Sequence, residues 1–503
     1  MIPLLGRDAV RAIDADAPQR LGLPTLLLME NAGRGAFDAL TARFAGALSN
    51  VVIVCGPGQN GGDGFVVARH LLNAGYAPRV FLVGEPSRVR GDALVNLRAL
   101  ERIGGLCHEL PGDALGPLVA TLQNATLVVD ALFGTGLDRP LGGVVAAVVE
   151  LINACGATVV ALDLPSGVDA DSGAVLGVGI RADLTLTFAA HKRGLHQHPG
   201  AALASEVKLL PIGVPTPHDA EVSLIETSDI AGLLRMRDAD AHKGSAGHVL
   251  VIAGAPGRTG AALLAGLGAL RAGAGLCTLA GRGAAREALD AKVVELMTAE
   301  LPLDANAAFA AALALCGTMR SAVVGPGLGL DTAARSLCEQ LALRLPVPTV
   351  VDADALTALG SDCARLRDAK GPRVLTPHPG EAASLLGSSS REVQADRYAS
   401  AAALAQRTGQ VIVLKGALSI VAEPSGRMRV CPTGTPAMAV AGTGDVLSGV
   451  IGALLATLDP FDAATVGVFL HGLAGEIAAH ADRGLLASEL AAALPAALSR
   501  CRA

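Results

Sequence analysis

Short runs of Val, Ile and Leu recur along this chain, each separated from the next by a stretch long enough for a helix. VVIVC (51–55), RVFLV (79–83), TLVVDAL (126–132) and TVVALDL (158–164) lack polar alternation, as strands buried on both faces require. HVLVIAG (248–254), GLCTLA (275–280), SAVVG (321–325), PTVVDA (348–353) and VIVLKG (411–416) continue the pattern. Ala-rich or amphipathic segments lie between them, and this alternation restricts the chain to α/β architecture with parallel sheets. A polar, Pro-containing stretch, PIGVPTPHDAEVSLIETS (211–228), interrupts it and predicts two tandem domains with a break near 215–230.

A length of 503 residues exceeds one small module, at roughly 150 residues per domain. The net charge of -6 and only eleven aromatics (nine Phe, two Tyr) argue against nucleic-acid binding by basic patches or base stacking. Charged or polar residues interrupt the long apolar tracts: Glu150 and Asn153 in 141–162, Arg271 in 262–281. No membrane span of about 20 residues is therefore expected. MIPLLGRDAVRAID shows no secretory pattern, and the nine cysteines form no CxxC, so reduced thiols and a cytoplasmic location are expected.

Three polar loops follow successive strands of the first half. In GPGQNGGDGFVVARHL (56–71), Gly56, Gly58 and Gly61 satisfy GxGxxG, and Glu85 stands where a ribose-binding acid would. Asp63, however, would repel a pyrophosphate at that helix start. Glycines, Asn60 and Asp63 better suit a polar ligand read by hydrogen bonds, and the bland alternative is a tight structural turn. Asp130 precedes ALFGTGLDRP, and Asp163 precedes LPSGVDADSG. Ligands bind beyond the carboxyl ends of strands in open α/β sheets, so the three loops should converge. The oxygens of Asp130, Asn60 and Ser166 suit a hard cation rather than zinc.

These loops, with MENAGRGAF (29–37), resemble the NAD(P)HX epimerase domain family over roughly 1–215. The resemblance implies a potassium ion on Asn60, Asp130 and Ser166. It also implies contacts to the hydrated coenzyme from Gln59, Asn60, Gly61, Gly62 and Asp63, from Gly134, Thr135, Gly136, Leu137, Asp138, Arg139 and Pro140, and from Asp163. Gln59 departs from the second Asn usual there, amide for amide. Asp163 is expected to exchange the proton of epimerisation, its pKa brought toward neutrality by burial at a strand end.

In the second half, AGTGDVLSGVIGALLA (441–456) opens an Ala/Leu helix on a Gly-rich turn. Backbone N–H groups of Gly442 to Gly444 would face a phosphate, and Asp445 could accept a proton from an attacking hydroxyl. No GxxxxGK[ST] occurs, which excludes a P-loop enzyme. TPHPGE (376–381) puts Glu381 at a helix start, where it could order magnesium and phosphate or simply cap the helix. VIVLKGALSI (411–420), GPGLG (325–329), GAPGRTGAALLAG (254–266) and HKGSAGHV (242–249) complete the set.

The GTGD turn resembles the ribokinase-like superfamily, and the motifs together resemble the ADP-dependent NAD(P)HX dehydratase family over roughly 228–503. The resemblance implies contacts to the hydrated coenzyme from Ala262, Gly327 and His378. It implies contacts to the adenine nucleotide from Lys415, Gly416, Ala417, Leu418, Ser419 and Gly444, with Asp445 catalytic and magnesium and ADP required. Thr435 and Ala437 depart from the usual Asn-Pro-Gly-Met-Ala. Both halves together resemble bifunctional NAD(P)HX repair enzymes, with an N-terminal Rossmann-like domain (1–217), a C-terminal ribokinase-like α/β/α domain (228–503) and assembly as a homo-oligomer.

Other features receive blander readings. His191, His196 and His198 have no metal-binding spacing and are expected on a solvent-exposed or substrate-lining loop. Lys192 receives no role, and His471 and His480 are expected on a helix surface or in the core. Competing functions are a ribokinase-like kinase for a vitamin alcohol beside a non-catalytic binding domain, an interaction module like those of RNA-decay scaffolds, and an NAD dehydrogenase. Asp63 disfavours the last, and the retained Asp130, Asp163 and Ser166 speak against the scaffold.

Overall fold

Among the described residues nine strands lie in the first half and ten in the second, and they take up every Val, Ile and Leu run named above. The computed structural model describes residues 1–110, 112, 114–215, 220–234 and 236–502. The chain divides into Pro3–Ala220 and a second unit of Glu221–Ala503 with Met1–Ile2. Residue 217, the expected end of the first domain, lies outside the described residues.

The first unit contains β1 (Ile2–Leu5), β2 (Val51–Cys55), β3 (Arg79–Val83), β4 (Cys107–Leu110), β5 (Leu127–Ala131), β6 (Thr158–Leu162), β7 (Leu184–Phe188), β8 (His191–Lys192) and β9 (Glu206–Leu210). Seven of these form a sheet in the order β4-β3-β2-β5-β6-β7-β9, parallel throughout. β1 pairs separately with β8, placing Leu5 opposite Lys192. Along β2, Val51, Ile53 and Cys55 enter one core, and Val52 and Val54 enter the other, so apolar layers cover both faces. Chain order reverses between β2 and β5, and the loops leaving their carboxyl ends meet there.

Glycine makes that meeting possible. A Cβ on Gly56 would lie 2.1 Å from the Leu132 carbonyl oxygen, and one on Gly61 would lie 1.8 Å from that of Gly56. Helix α3 (Gln59–Asn73) can therefore begin directly against the loop after β5. Helices α1 (Arg7–Arg20) and α2 (Thr25–Phe44) precede the sheet in sequence.

The second unit contains β10 (Val222–Leu224), β11 (His248–Ile252), β12 (Leu276–Arg282), β13 (Met297–Leu301), β14 (Ser321–Val324), β15 (Thr349–Val351), β16 (Arg373–Leu375), β17 (Val411–Leu414), β18 (Ile420–Ala422) and β19 (Met428–Val430). Their order is β13-β12-β11-β14-β15-β16-β17-β18-β19-β10, and only β18 runs antiparallel to its neighbours. The β18–β19 hairpin was hidden in the sequence because each strand has three residues, too short for periodicity to register.

Two helices, Thr259–Ala272 and Thr443–Leu454, press backbone against backbone. A Cβ on Gly449 would stand 1.8 Å from the Ala265 carbonyl oxygen, and one on Gly268 would stand 2.4 Å from that of Val446. This contact fixes the helix whose first turn carries Asp445. The fully buried Arg373 braces the same unit by donating to the carbonyls of Ala342, Leu345 and Val347 at 2.5, 2.7 and 3.1 Å. Among the described residues no helix is long and apolar enough to cross a membrane, and the nine cysteines are unpaired.

Candidate active sites

In the first unit, loops from β2, β5 and β6 close around a cavity of about 430 Å³. Gln59, Asn60 and Asp63 line it from α3, Gly134 to Leu137 from the loop after β5, and Asp163 from the end of β6. The convergence expected from the sequence is present. Asp138, Arg139 and Pro140 are exposed outside the lining, and Gly61 and Gly62 are enclosed by packing, with a Cβ on Gly62 only 2.6 Å from Met29. Glu85 is exposed and lies outside the lining too.

Asp163 does not behave as expected. Burial works to raise its pKa, but Lys192 and Thr135 outweigh it and hold the carboxyl below the ordinary value. Lys192 Nζ lies 2.5 Å from Asp163 Oδ1, and the Thr135 N–H and hydroxyl both donate to Oδ2 at 2.7 Å. The expectation of a near-neutral pKa is thus corrected: a buried ammonium, unseen in the sequence reading, keeps Asp163 ionised. Asp163 also adopts a left-handed backbone (φ 66°), a conformation costing roughly 1–2 kcal/mol for a residue other than glycine. Asp63 moves the opposite way, pushed well up by burial and then by the charges of Asp163 and Asp14. One cavity therefore holds two carboxyls whose pKa values are pushed in opposite directions, a separation that suits general acid–base exchange.

Deeper in, Ser166 Oγ donates to Asp130 Oδ1 at 2.7 Å, and Ser166 N–H donates to Oδ2 at 2.8 Å. Burial pushes Asp130 up to about 6 against these hydrogen bonds. The Asn60 carboxamide is buried with neither its nitrogen nor its oxygen hydrogen-bonded. A buried amide without partners carries a penalty of roughly 1–3 kcal/mol unless a ligand meets it. With the Asp130 carboxylate and Ser166 hydroxyl it supplies the neutral and anionic oxygens that a hard cation takes.

The histidine loop meets expectation in part, since its Lys192 lines the cavity and His198 is exposed. His191 and His196 are buried and bonded to each other at 3.0 Å, rather than solvent-exposed or lining the cavity. β8 draws them inward by pairing with β1, and Gly194 lets the chain pass the Asp169 carbonyl, where a Cβ would come within 2.0 Å.

In the second unit, strand ends again bring the chemistry together. Lys415, after β17, places Nζ 2.8 Å from Asp352 Oδ1 and 3.8 Å from Glu381 Oε2. The same ammonium would lie 3.5 Å from a Cβ on Gly444, so it reaches the turn that opens the Asp445 helix. Ser448, one turn further along, donates to Asp352 Oδ2 at 2.5 Å. Burial and the nearby Asp352 push Asp445 up to about 6, with Lys415 opposing. Burial also raises Glu381, again opposed by Lys415. His471, pushed down to about 4 by burial, is neutral and donates from Nε2 to the Thr443 carbonyl at 2.8 Å, bracing that turn from the core.

Other expected positions separate. His378 is exposed and caps its own helix, Nδ1 accepting from the Gly380 and Glu381 N–H groups. Gly327 sits in a left-handed turn (φ 58°). Ala262, expected against the coenzyme, is fully buried in the core. Gly416 and Ala417 are exposed, and Leu418 and Ser419 are half-buried beside them. A Cβ on Gly416 would lie 3.1 Å from the Arg397 guanidinium, which donates to the Leu414 carbonyl at 3.1 Å and holds the strand end. Asp352 and Ser448 were missed, although Asp352 stands at a strand end just as Asp130 and Asp163 do.

Residues 249–496 match the family model described as NAD(P)H-hydrate dehydratase, and residues 25–194 match that described as YjeF-related protein N-terminus. The bifunctional NAD(P)H-hydrate repair enzyme Nnr of Moorella thermoacetica is 42% identical over 499 residues, covering 96% of this chain and 94% of that one. The chain belongs to the bifunctional NAD(P)H-hydrate repair enzyme family. The family member of Escherichia coli is 34% identical, covering 96% of this chain and 91% of its own. A crystal structure of the ADP/ATP-dependent NAD(P)H-hydrate dehydratase of Bacillus subtilis, co-crystallised with ATP and Mg2+, is 32% identical with a TM-score of 0.49. It covers 55% of this chain and 98% of that one.

Proposed function

We propose that this NAD(P)H-hydrate repair enzyme restores water-damaged nicotinamide coenzymes in two steps, one in each half. The first half, 1–217, interconverts R- and S-NAD(P)HX. The second, 228–503, converts the S form to NAD(P)H with ADP, releasing AMP and phosphate. What supports this most is that each half, matched by its own family model, sets an acidic side chain (Asp163 or Asp445) in a glycine-framed strand-end site.

NAD(P)HX carries a hydroxyl on the carbon beside the ring nitrogen, and inverting that centre means breaking and remaking its C–O bond or opening the ring. Either route needs one group to give a proton and another to take it. Asp163, its pKa held down by Lys192 and Thr135 against burial, is suited to take it, and Asp63, its pKa pushed up by burial, to give it. Asn60, Asp130 and Ser166 would hold potassium, and the unbonded Asn60 carboxamide fits that use. Bound there, potassium supplies positive charge against the buried Asp130.

In the second half the difficulty is the leaving group. Hydroxide departs poorly, since water has a pKa of about 15.7. Phosphorylating the ring hydroxyl converts it to a phosphate that leaves with help from the nitrogen lone pair. Asp445 takes the hydroxyl proton, the N–H groups of the Gly442–Gly444 turn receive the phosphoryl oxygens, and Lys415 adds positive charge beside them. Asp352 and Glu381 contact the Lys415 ammonium and Asp445 acts on it electrostatically. Among the described residues no cluster of three such side chains could hold a metal by itself, so magnesium would enter with the nucleotide. Bound with ADP, magnesium neutralises charge on the phosphate oxygens.

A vitamin-alcohol kinase would leave the first half idle, whereas the relatives align across both halves. The test is to incubate an NADHX epimer mixture with protein, ADP and magnesium. The proposal expects complete recovery of NADH absorbance with one AMP and one phosphate per NADH. Recovery of half would leave the first site inactive, and none would reject both steps.

A further inference from the structure

Lys192 is completely buried, yet it lies at the wall of the first cavity. Its three ammonium protons have three acceptors: Asp163 Oδ1 at 2.5 Å, the Phe188 carbonyl at 2.7 Å and Thr187 Oγ1 at 2.9 Å. None is left for a ligand, so whatever Lys192 contributes to chemistry passes through Asp163.

We infer that Lys192 is the positioning residue of the epimerisation site, fixing the Asp163 carboxylate in one orientation and keeping it ionised to receive the proton. This inference rests on the reading above that Asp163 exchanges that proton. Thr135 clamps Oδ2 and Lys192 clamps Oδ1, so the carboxylate has no rotational freedom. Gly134 makes room for the clamp, since a Cβ there would meet Oδ2 at 2.4 Å.

Asp63 from α3, Asp14 and Arg11 from α1, and Asp92 also face this cavity. Two of them, Asp63 and Asp14, are themselves raised by the Asp163 charge. Among these groups only Arg11 is cationic, and it bonds to no carboxylate here. His191 and His196 flank Lys192, but burial and His191 push His196 down to about 3, so it brings no positive charge. Removing the ammonium would leave a desolvated carboxylate beside two acidic neighbours, where protonation is favoured.

A merely structural lysine makes a different prediction. A buried ion pair often contributes little net stability, and an apolar isostere can replace it. Lys192→Met would then lower the active fraction without altering how the rest respond to pH.

The experiment measures epimerisation of purified R-NADHX by full-length protein between pH 5 and 9, with dehydration of S-NADHX as the control for folding. Lys192→Met should lower kcat about 100-fold or more and leave KM within about threefold. It should also move the acid limb of the kcat profile up by about one pH unit or more relative to wild type. Thr187→Val, which removes one acceptor and loosens the ammonium, should move the limb the same way by less. A kcat within about threefold of wild type, or a lower kcat with an unmoved limb, overturns the assignment. If Lys192→Met fails to fold, Thr187→Val decides by the same criterion. A wild-type protein that does not interconvert the epimers would instead reject the proposed function.

Discussion

The Lys415 ammonium lies 2.8 Å from Asp352 Oδ1 and bridges toward Glu381 at 3.8 Å, so one half-buried cation serves a strand-end acid and a helix-start acid beside the turn that carries Asp445. Asp352 is 1% exposed, which makes it the anchor of the group. Breaking a buried pair by removing one partner typically costs about 3–5 kcal/mol. Asp352→Ala should therefore lower the melting temperature of the second unit and abolish dehydration, while epimerisation by the first unit continues. Separate assays on R- and S-NADHX check this.

Asp445 gives the dehydratase a pH signature. Its carboxyl rises from 3.8 to about 6 in the fold, through burial and Asp352. A base must be ionised to work, so kcat/KM should climb through pH 6 to a plateau and fall about tenfold per unit below it. Asp445→Asn should remove most of this activity, by about 100-fold or more, and leave epimerisation unchanged.

The same shift has a consequence for stability. A raised folded pKa favours the fold fully below the unfolded value and loses that contribution as pH rises through the folded one. Between pH 4 and 6 the ionising carboxylate therefore becomes a cost to the fold. Asp445→Asn should melt a few degrees above wild type at pH 7.5, with the gain vanishing below about pH 4. Calorimetry across pH checks the sign.

Strand identity was legible because parallel strands need unbroken apolar runs; the acids Asp130 and Asp163 announced themselves by closing such runs, and Asp445 by following a glycine turn at a helix start. Lys192 was not legible. It sits in AAHKRGLHQHPG, which reads as a solvent-exposed or substrate-lining loop and gives Lys192 no role; the β1–β8 pairing brings it to Asp163. Asp352 ends a strand as visibly as Asp130, but no glycine-rich loop drew attention to it, and its value lies in reaching Lys415 two strands away in the sheet. Ala262, assigned to the coenzyme by the family resemblance alone, is fully buried in the core.

Packing of the two helices behind Asp445 is equally testable. Gly449→Ala drives a Cβ to 1.8 Å from the Ala265 carbonyl oxygen, and backbone cannot yield as a side chain can. Overpacking of this kind costs about 1–3 kcal/mol or more. Thermal unfolding of the second unit should shift downward and dehydration should weaken, with epimerisation retained.

Asn60 separates the cation from the proton chemistry. Its unbonded buried carboxamide should make epimerisation depend on potassium, with activity falling on exchange into a choline buffer and returning when potassium is restored. Asn60→Ala should be slow in both buffers. A variant that still responds fully to potassium would place the ion elsewhere.

Two separate sites working on one damaged coenzyme can be examined by mixing crippled chains. Asp163→Asn and Asp445→Asn proteins are each given the NADHX epimer mixture with ADP and magnesium, alone and together, and NADH absorbance is followed. The first alone should restore only the S portion promptly, the second alone none, and the mixture all of it. Complete prompt recovery by either variant alone, or none from the mixture, would contradict the account.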